Sequence, residues 1–125
     1  MPRNLADVTE TELAILEVLW SRGASTIRDI VLALYERHSP SLHATAKSLL
    51  ERLEGKGYVE CDKGGFAHTF AARIGREAYV AGQLKELADS HFGGKLTPVL
   101  LALVERANLS KRDREAIRKI IEGIQ

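Results

Sequence analysis

The sequence predicts a mainly α protein, with a winged helix-turn-helix domain of three helices and a β-hairpin followed by a C-terminal α-helical dimerisation arm. Three short segments before residue 54 repeat apolar residues at helical spacing, and two strand-like segments separated by glycines follow them. From about Arg76 the helical period returns and persists to the end of the sequence. We therefore place a domain boundary between residues 1–73 and residues 74–125, with no flexible linker.

The first two helices have recognisable start signals. Thr9 followed by Glu12 forms a capping-box pattern, and Gly23 is expected to end the helix that begins there. Thr26 is expected to cap the second helix, with Asp29 at its third position. Both helices carry an apolar stripe for the core, formed by Leu13, Leu16, Val18, Leu19 and Trp20 in the first and by Ile27, Ile30, Val31, Leu34 and Tyr35 in the second.

The segment from Ser41 to Leu53 is predicted to be the third helix, with Ser41 as its cap. Its apolar stripe consists of Ala46, Leu49, Leu50 and Leu53. Its other face is small, hydroxylated or charged, as a helix in a DNA major groove requires, because hydroxyls reach base edges and cations reach phosphates. The expected DNA-binding residues of this helix are Ser41, Ala44, Thr45, Lys47, Ser48 and Arg52.

Two points about this helix remain open, its function and the partner of Glu51. It is also compatible with an ordinary amphipathic surface helix whose polar face is only solvated. Glu51 is expected to be solvated or to pair with Lys47 four residues earlier, although a carboxylate can also accept a hydrogen bond from cytosine.

A β-hairpin is predicted after the third helix. Gly57 can end that helix in a left-handed conformation, and residues 58–62 and 66–72 read as two strands. The turn between them consists of Lys63, Gly64 and Gly65, where glycine supplies the positive φ of a tight turn. These three residues form the predicted wing and complete the expected DNA-binding set.

The C-terminal segment is predicted to form three helices that pair with a second copy of the chain. Thr97 is expected to cap the middle helix with Pro98 at its first position, and Ser110 to cap the last, which also buries Ile124. Residues 99–104 are apolar on every side, and a tail of this size is too small to cover them alone. The expected homodimer interface comprises Leu84, Leu87, Phe92, Val99, Leu100, Leu103, Val104, Ile117, Ile120 and Ile121.

Composition and motifs exclude several classes of protein. No apolar run is long enough to cross a membrane, and MPRNLADVTE lacks the apolar core of a signal peptide, so we expect a cytoplasmic protein without membrane insertion. The single cysteine excludes a disulfide framework. Without a phosphate loop, a zinc-protease motif or a nucleophile–base pair, the chain is not expected to be an enzyme or to need a cofactor.

Cys61 and His68 fall on the two predicted wing strands, where they could face each other. A metal or redox site there is conceivable, but two ligands are too few for structural zinc. We therefore expect no metal site.

The charge of the first 73 residues argues against nucleic-acid binding. They contain nine basic and ten acidic residues, whereas DNA-binding domains usually carry a clear basic surplus. This near-neutral balance keeps open a second function, a winged-helix adaptor that binds proteins and not DNA.

The order of motifs resembles the penicillinase-repressor family, which includes BlaI-, MecI- and CopY-type regulators. The resemblance rests on VTETELAILEVLW at 8–20, STIRDIV at 25–31, LLERLEGKGYV at 49–59, HTFAA at 68–72 and HFGGK at 91–95. It implies a homodimeric repressor that binds a palindromic double-stranded DNA operator through its winged helix and dimerises through its helical arm. By position, the family's DNA-facing residues fall on the third-helix and wing residues named above.

The resemblance also implies an upstream sensor-protease as a partner, because well-known members are inactivated by cutting at an Asn-Phe bond in the arm. Alignment through Gly93 and Gly94 places Ala102 and Leu103 at that bond in this sequence. The third helix differs as well, because residues 43–46 read His-Ala-Thr-Ala where the family usually has Tyr-Thr-Thr-Val. The cysteine cluster of the copper-sensing branch is not found in this tail.

Overall fold

The computed structural model describes residues 8–123, and its contacts divide the chain between Gln83 and Leu84. We call the part up to Gln83 the winged-helix unit and the part from Leu84 the arm. The elements in chain order are α1 (Glu10–Arg22), α2 (Ile27–Tyr35), α3 (Pro40–Gly55), β1 (Val59–Asp62), β2 (Thr69–Ala72), α4 (Arg76–His91), α5 (Thr97–Arg106) and α6 (Lys111–Gly123). This is the mainly α winged helix-turn-helix fold that the sequence predicts.

Both N-terminal helices begin at the caps expected from the sequence. The Thr9 hydroxyl accepts the Glu12 amide at 3.1 Å, and the Glu12 carboxylate accepts the Thr9 amide at 2.9 Å. Thr26 and Asp29 form the same reciprocal pair at the start of α2. The capping-box prediction for α1 and the Thr26 cap of α2 are therefore confirmed.

The start of α3 differs from the prediction. Ser39, and not Ser41, is the cap: its backbone is extended and its hydroxyl accepts the Leu42 amide at 3.1 Å. Pro40 then occupies the first turn, where its missing N–H costs nothing. The extended backbone that proline imposes on the preceding residue is also the backbone that a helix cap needs, so Ser39 satisfies both requirements.

The end of α3 follows the sequence prediction. Gly57 has φ +86°, and its amide donates to the Glu54 carbonyl at 3.0 Å while the Tyr58 amide donates to the Leu53 carbonyl at 2.9 Å. These two bonds form a Schellman motif, which uses carbonyls that have no partner inside the helix. The motif turns the chain directly into β1.

The wing is a two-stranded antiparallel hairpin with shorter strands than predicted. Residue 59 pairs with residue 72 and residue 62 with residue 69, so residues 63–68 form an open loop in place of a tight turn. The Asp62 carboxylate accepts the Gly64 amide at 2.8 Å, and neither Gly64 nor Gly65 has the positive φ that the predicted tight turn requires. Ser25 adds a backbone bridge to Phe70 through bonds of 2.9 and 2.8 Å, which ties the wing to the start of α2.

A single apolar core joins the helices and the wing of the winged-helix unit. Its buried members are Ile15, Leu16, Leu19, Ile30, Leu50, Leu53, Tyr58, Val59 and Phe70. Leu50 and Leu53 come from the apolar stripe predicted for α3, and both are fully buried. Because one face of α3 is held in this core, its opposite face is directed to solvent.

The first turns of α4 belong to the winged-helix unit. The Trp20 indole N–H donates to the Ile74 carbonyl at 2.8 Å, and the Tyr79 ring packs 5.6 Å from the Trp20 ring. The Arg76 guanidinium lies 5.4 Å from the centre of the indole and pairs with Glu17 at 2.9 Å. The domain boundary near residue 73 remains a prediction about separate folding, because α4 runs on without a break into the arm.

The arm contains the end of α4 together with α5 and α6. Ser110 caps α6 as predicted, its hydroxyl accepting the Asp113 amide at 3.1 Å. The predicted Thr97 cap is wrong: Thr97 is already helical, and the cap position is Leu96, which makes no side-chain capping bond. The helix start moves by one residue because Pro98 is accepted at either of the first two helical positions.

Candidate nucleic-acid interface

One face of α3 presents a continuous set of small, hydroxylated and cationic side chains. The predicted residues Ser41, Ala44, Thr45, Lys47, Ser48 and Arg52 are all exposed, whereas Ala46, Leu50 and Leu53 are buried. Glu51 is exposed too, and in the described part of the chain it forms no ion pair with Lys47, so of the two expected arrangements the structure has the solvated one. The structure thus brings the predicted helix residues together on a single surface.

Next to this face lies a groove that the sequence did not predict as a unit. It encloses a volume of about 500 Å³ between the start of α2, α3 and the wing loop. The side chains that line it include no carboxylate: Thr26, Ile27, Arg28, His43, Lys47, Ala67 and His68. Arg28, His43 and His68 become neighbours only through the tertiary fold, so no spacing in the sequence connects them.

The cations of this surface have no ion-pair partner among the described residues. Among residues 8–123, no carboxylate lies within ion-pairing distance of Arg28, Lys47, Arg52 or Lys63. Glu17 and Glu60 pair with Arg76 and Arg73 away from this surface, whereas the exposed Glu51 lies on α3 itself without an ion pair to these cations. The near-neutral total therefore conceals a local cationic surface.

Two histidines meet where α2 turns into α3. His38 Nε2 lies 3.3 Å from His43 Nδ1, and the two rings make an edge-to-face contact at 5.4 Å. One of these nitrogens must carry the proton for the hydrogen bond to form. The pair fixes the orientation of His43 at the edge of the groove.

The wing loop leaves the predicted residues Lys63, Gly64 and Gly65 exposed. Phe66, which follows them, is fully exposed as well and was not among the predicted site residues. Phe66 was not predicted as a site residue because a phenylalanine next to a strand is usually part of that strand.

Cys61 and His68 do not face each other. The strand register places Cys61 opposite Phe70, and Cys61 packs partly buried against the core, whereas His68 lies in the loop that borders the groove. In the described part of the chain, no three metal-ligating side chains come together. The conceivable site at Cys61 and His68 is therefore not formed.

A buried ion pair connects the start of α1 with the end of α3. The fully buried Glu12 carboxylate accepts two hydrogen bonds from the Lys56 amine, at 2.8 and 3.0 Å, in addition to its bond from the Thr9 amide. Burial raises the pKa of Glu12, but the Lys56 and Thr9 hydrogen bonds and the charge of Lys56 outweigh burial and lower that pKa below its ordinary value. The pair fixes the C-terminal end of α3 relative to α1.

The arm leaves much of its apolar surface uncovered. Of the predicted interface residues, Val99 is buried, Leu84, Leu100, Val104 and Ile117 are half-buried, and Leu87, Phe92, Leu103 and Ile120 are exposed. Ile120 was expected to be buried within α6, yet it is 64% exposed, because no other helix of the same chain covers it. The side chain of Ile121 and all of Ile124 lie outside what the structure describes.

An apolar cavity of about 500 Å³ opens between α4 and α5 within the arm. Its walls are formed mainly by Leu87, Phe92, Val99, Ala102 and Leu103. Ala102 and Leu103 occupy the positions at which cleavage was considered from the sequence, and both are exposed in the middle of α5.

Within residues 8–123, no helix has the length and apolar character needed to cross a membrane.

Comparison with known proteins decides the family. The family model of the penicillinase repressor matches residues 8–123, which include every helix and strand described above. The chain belongs to the penicillinase-repressor family. This confirms the resemblance drawn from the sequence motifs.

Individual relatives align over almost the whole chain. The transcriptional regulator BlaI of Mycobacterium tuberculosis, in strains CDC 1551 and H37Rv, is 29% identical over 124 residues, which are 98% of this chain and 88% of the relative. An uncharacterised 16.5 kDa protein from the ptsI 3′ region of Latilactobacillus sakei is 24% identical over 121 residues, which are 97% of this chain and 82% of that protein. The similarity therefore extends over both the winged-helix unit and the arm.

Proposed function

We propose that this chain is a homodimeric transcriptional repressor that occupies a palindromic double-stranded DNA operator through its winged helix. Family membership and the relative named as a transcriptional regulator support the regulatory role. The observation that carries DNA binding is the exposed face of α3, where cations that have no ion-pair partner among residues 8–123 lie beside small and hydroxylated side chains. Such a face admits close approach to base edges and neutralises phosphates.

The α3 residues are assigned two kinds of contact in this proposal. Arg52, at the C-terminal part of the helix, binds phosphate and contributes affinity to every sequence. Thr45 and Ser48, near the middle of the exposed face, contact base edges and contribute sequence preference. Lys63 and the two glycines after it bring the wing backbone close to the DNA, because glycine has no side chain to hold the backbones apart.

Dimerisation is proposed to occur through the arm. Leu103 is 48% exposed and Ile120 is 64% exposed, and removing such side chains from water is worth about 1.5–3 kcal/mol each when burial is complete. A two-fold dimer presents two copies of α3 to a palindrome, with half-sites about 34–36 Å apart or a multiple of that distance. Repression is then steric, because the bound dimer excludes RNA polymerase from the same DNA.

The signal that relieves repression is proposed to differ from cleavage at the family's usual Asn-Phe bond. Ala102 and Leu103 stand at that position, within a continuous helix, so a sensor-protease that requires Asn-Phe has no matching bond there. Mapping of fragments from induced cells tests this point. A cut between Ala102 and Leu103 would refute it.

The alternative function is a winged-helix adaptor that binds proteins without touching DNA. A salt titration with duplex DNA distinguishes the two, because phosphate neutralisation makes the logarithm of affinity fall steeply with the logarithm of salt concentration. The repressor predicts a steep slope for the full chain on mixed-sequence duplex. An adaptor predicts no binding at low salt.

Three variants test the α3 assignment. Arg52→Ala is expected to weaken binding to all duplexes alike and to reduce the salt slope by about one. Thr45→Ala and Ser48→Ala are expected to alter sequence preference by about 1–3 kcal/mol at one base pair. The matched control is Arg112→Ala, which removes an exposed cation from α6. If Arg52→Ala behaves like this control and neither hydroxyl variant changes preference, the α3 face does not bind DNA.

A further inference from the structure

The groove beside α3 contains four basic side chains from three separate elements. Arg28 comes from α2, His43 and Lys47 from α3, and His68 from the wing loop. Because no carboxylate lines the groove, these groups have no counter-charge inside it. A groove that concentrates positive charge in this way attracts an anion, and a phosphodiester backbone supplies one beside every base that α3 reaches.

His38 gives His43 the geometry needed to act as a cation in this groove. When the His43 ring carries both protons, its Nδ1–H donates to His38 Nε2 across the observed 3.3 Å, with His38 neutral and acting as acceptor. The Nε2–H of His43 then serves as a second donor, for an anion in the groove. A hydrogen bond to the charged form of a group favours that form, and His38 is placed to accept this bond from His43.

Charged groups on α2, α3 and β1 belong to the elements around the two groove histidines. Arg28 on α2 and Lys47 on α3 line the same groove and repel an additional positive charge. The carboxylate of Asp29 on α2 accepts the Thr26 amide, and that of Asp62 on β1 accepts the Gly64 amide, so each is already engaged in a local hydrogen bond. A phosphate in the groove adds the negative charge that reverses this balance.

We infer that His43 and His68, together with Arg28 and Lys47, form a phosphate site for the DNA backbone, and that the two histidines bind the phosphate as imidazolium ions. DNA binding then takes up protons, up to one for each of the two rings. This inference rests on the proposed DNA-binding function and adds the contact surface and its chemistry. Histidine suits such coupling because it is the side chain that ordinarily changes charge between about pH 5 and 8.

The test is a pair of titrations of the full chain with a mixed-sequence duplex at constant salt. One measures affinity from about pH 6 to 8, and the other measures binding heat in buffers of different ionisation enthalpy, which gives the number of protons taken up. For each proton taken up, affinity is expected to rise about tenfold per pH unit on lowering the pH through the range in which the ring titrates. Linkage requires the two effects to occur together. If DNA binds the protonated chain more tightly, DNA binding must also take up protons.

Variants separate the proton-linked contacts from simple charge. His43→Gln and His68→Gln are each expected to remove up to one proton from the uptake and to flatten the pH dependence. His38→Ala is expected to reduce the uptake by weakening the imidazolium form of His43, while leaving the salt slope close to that of the unaltered chain. Lys47→Gln is expected to do the reverse, lowering the salt slope by about one while proton uptake persists. Lys85→Gln, an exposed cation on α4, serves as the control for both readouts.

The outcomes distinguish this inference from the proposed function. If the unaltered chain binds duplex with a steep salt slope but takes up no protons, the inference is overturned and the repressor function stands. Proton uptake that persists in the double variant His43→Gln, His68→Gln would also overturn it, because the protons then bind elsewhere. If the chain binds no duplex at any pH at low salt, the proposed function itself fails.

Discussion

The winged-helix unit and the arm are built from similar helices but differ in how completely each covers its apolar side chains. In the winged-helix unit, Ile15, Leu50 and Leu53 are wholly removed from solvent within one core. In the described part of the arm, Ala88 and Val99 are the buried apolar residues, while Leu101 and Leu103 remain about half exposed. We propose that the first region folds by itself and that the second associates with another copy of the chain.

The two regions also expose different kinds of side chain to solvent. The winged-helix unit uses its buried face for packing and leaves the cationic face of α3 to solvent. The arm leaves apolar side chains to solvent and carries its charges at residues such as Arg112 and Arg118 on α6. A face of uncompensated cations suits a polyanion, and an uncovered apolar face suits a second copy of the same helices.

The largest expected difference between the regions is the cost of removing a leucine. Leu50→Ala, in the core of the winged-helix unit, is expected to lower the free energy of unfolding by about 2–5 kcal/mol, because it leaves a cavity. Leu103→Ala, in the arm, is expected to cost about 0.5 kcal/mol or less at concentrations where the chain is monomeric, as for other surface substitutions. Urea denaturation of both variants, across a range of protein concentrations, measures the two costs. Equal costs at low concentration would contradict the distinction.

The next effect in size concerns the ion pair that holds α3 in the winged-helix unit. Glu12→Gln is expected to reduce the free energy of unfolding by about 3 kcal/mol, the low end for breaking a buried pair, because the Lys56 side chain remains 20% exposed and can reach water. Thermal and urea denaturation measure the loss. Glu10→Gln, at an exposed position in the same turn, is the matched control.

The same pair predicts how stability depends on pH. Because the folded pKa of Glu12 lies below its unfolded value, its stabilising contribution is complete above the ordinary glutamate pKa of about 4.3 and is lost as the pH falls through the lowered folded pKa. Denaturation from about pH 3 to 7 is expected to show this acid-side loss in the unaltered chain. In the Glu12→Gln variant the loss should be smaller, and an unchanged profile would exclude Glu12 as its source.

The smallest expected effect is the difference in stability between alanine variants of Ser39 and Ser41. Ser39→Ala removes the observed cap of α3 and is expected to cost about 1 kcal/mol of stability. Ser41→Ala, at an exposed position inside the first turn, is expected to change stability by no more than about 0.5 kcal/mol but to weaken DNA binding. Thermal denaturation beside a mobility-shift titration measures both properties. A larger stability loss at Ser41 would return the cap to the position first predicted.

The sequence predicted those features of the winged-helix unit that depend on local chemistry. The stripe of Ala46, Leu50 and Leu53, the reciprocal cap of Thr9 and Glu12, and the left-handed Gly57 each follow from residues a few positions apart. Local ambiguity caused the error at the start of α3, because Ser39 and Ser41 flank the same proline. The hairpin loop was misjudged because Gly64 and Gly65 do not adopt the positive φ expected of them, and the strand pairing ends at Asp62 and Thr69.

Features that depend on distant residues could not be predicted in this way. The capping pattern identified Glu12 as a helix-start residue but gave no indication of Lys56, which is 44 positions away. The groove was missed for the same reason, since His43 and His68 have no spacing that would connect them in one sequence. In the arm, several side chains of the apolar run at residues 99–104 are exposed, and coverage by a second copy stays a prediction, because a contact between two chains leaves no pattern in one sequence.

Sedimentation of the full chain tests the account most directly, because it asks whether the exposed apolar face of the arm holds a second copy. The unaltered chain is expected to sediment as a dimer at micromolar concentration, and Leu103→Asp as a folded monomer with reduced affinity for duplex DNA. The matched control is Leu32→Asp, which alters a leucine of similar exposure in α2 and is expected to remain dimeric. If the unaltered chain is a monomer, or if Leu103→Asp remains a dimer while Leu32→Asp dissociates, the division between a DNA-binding unit and a dimerising arm is wrong.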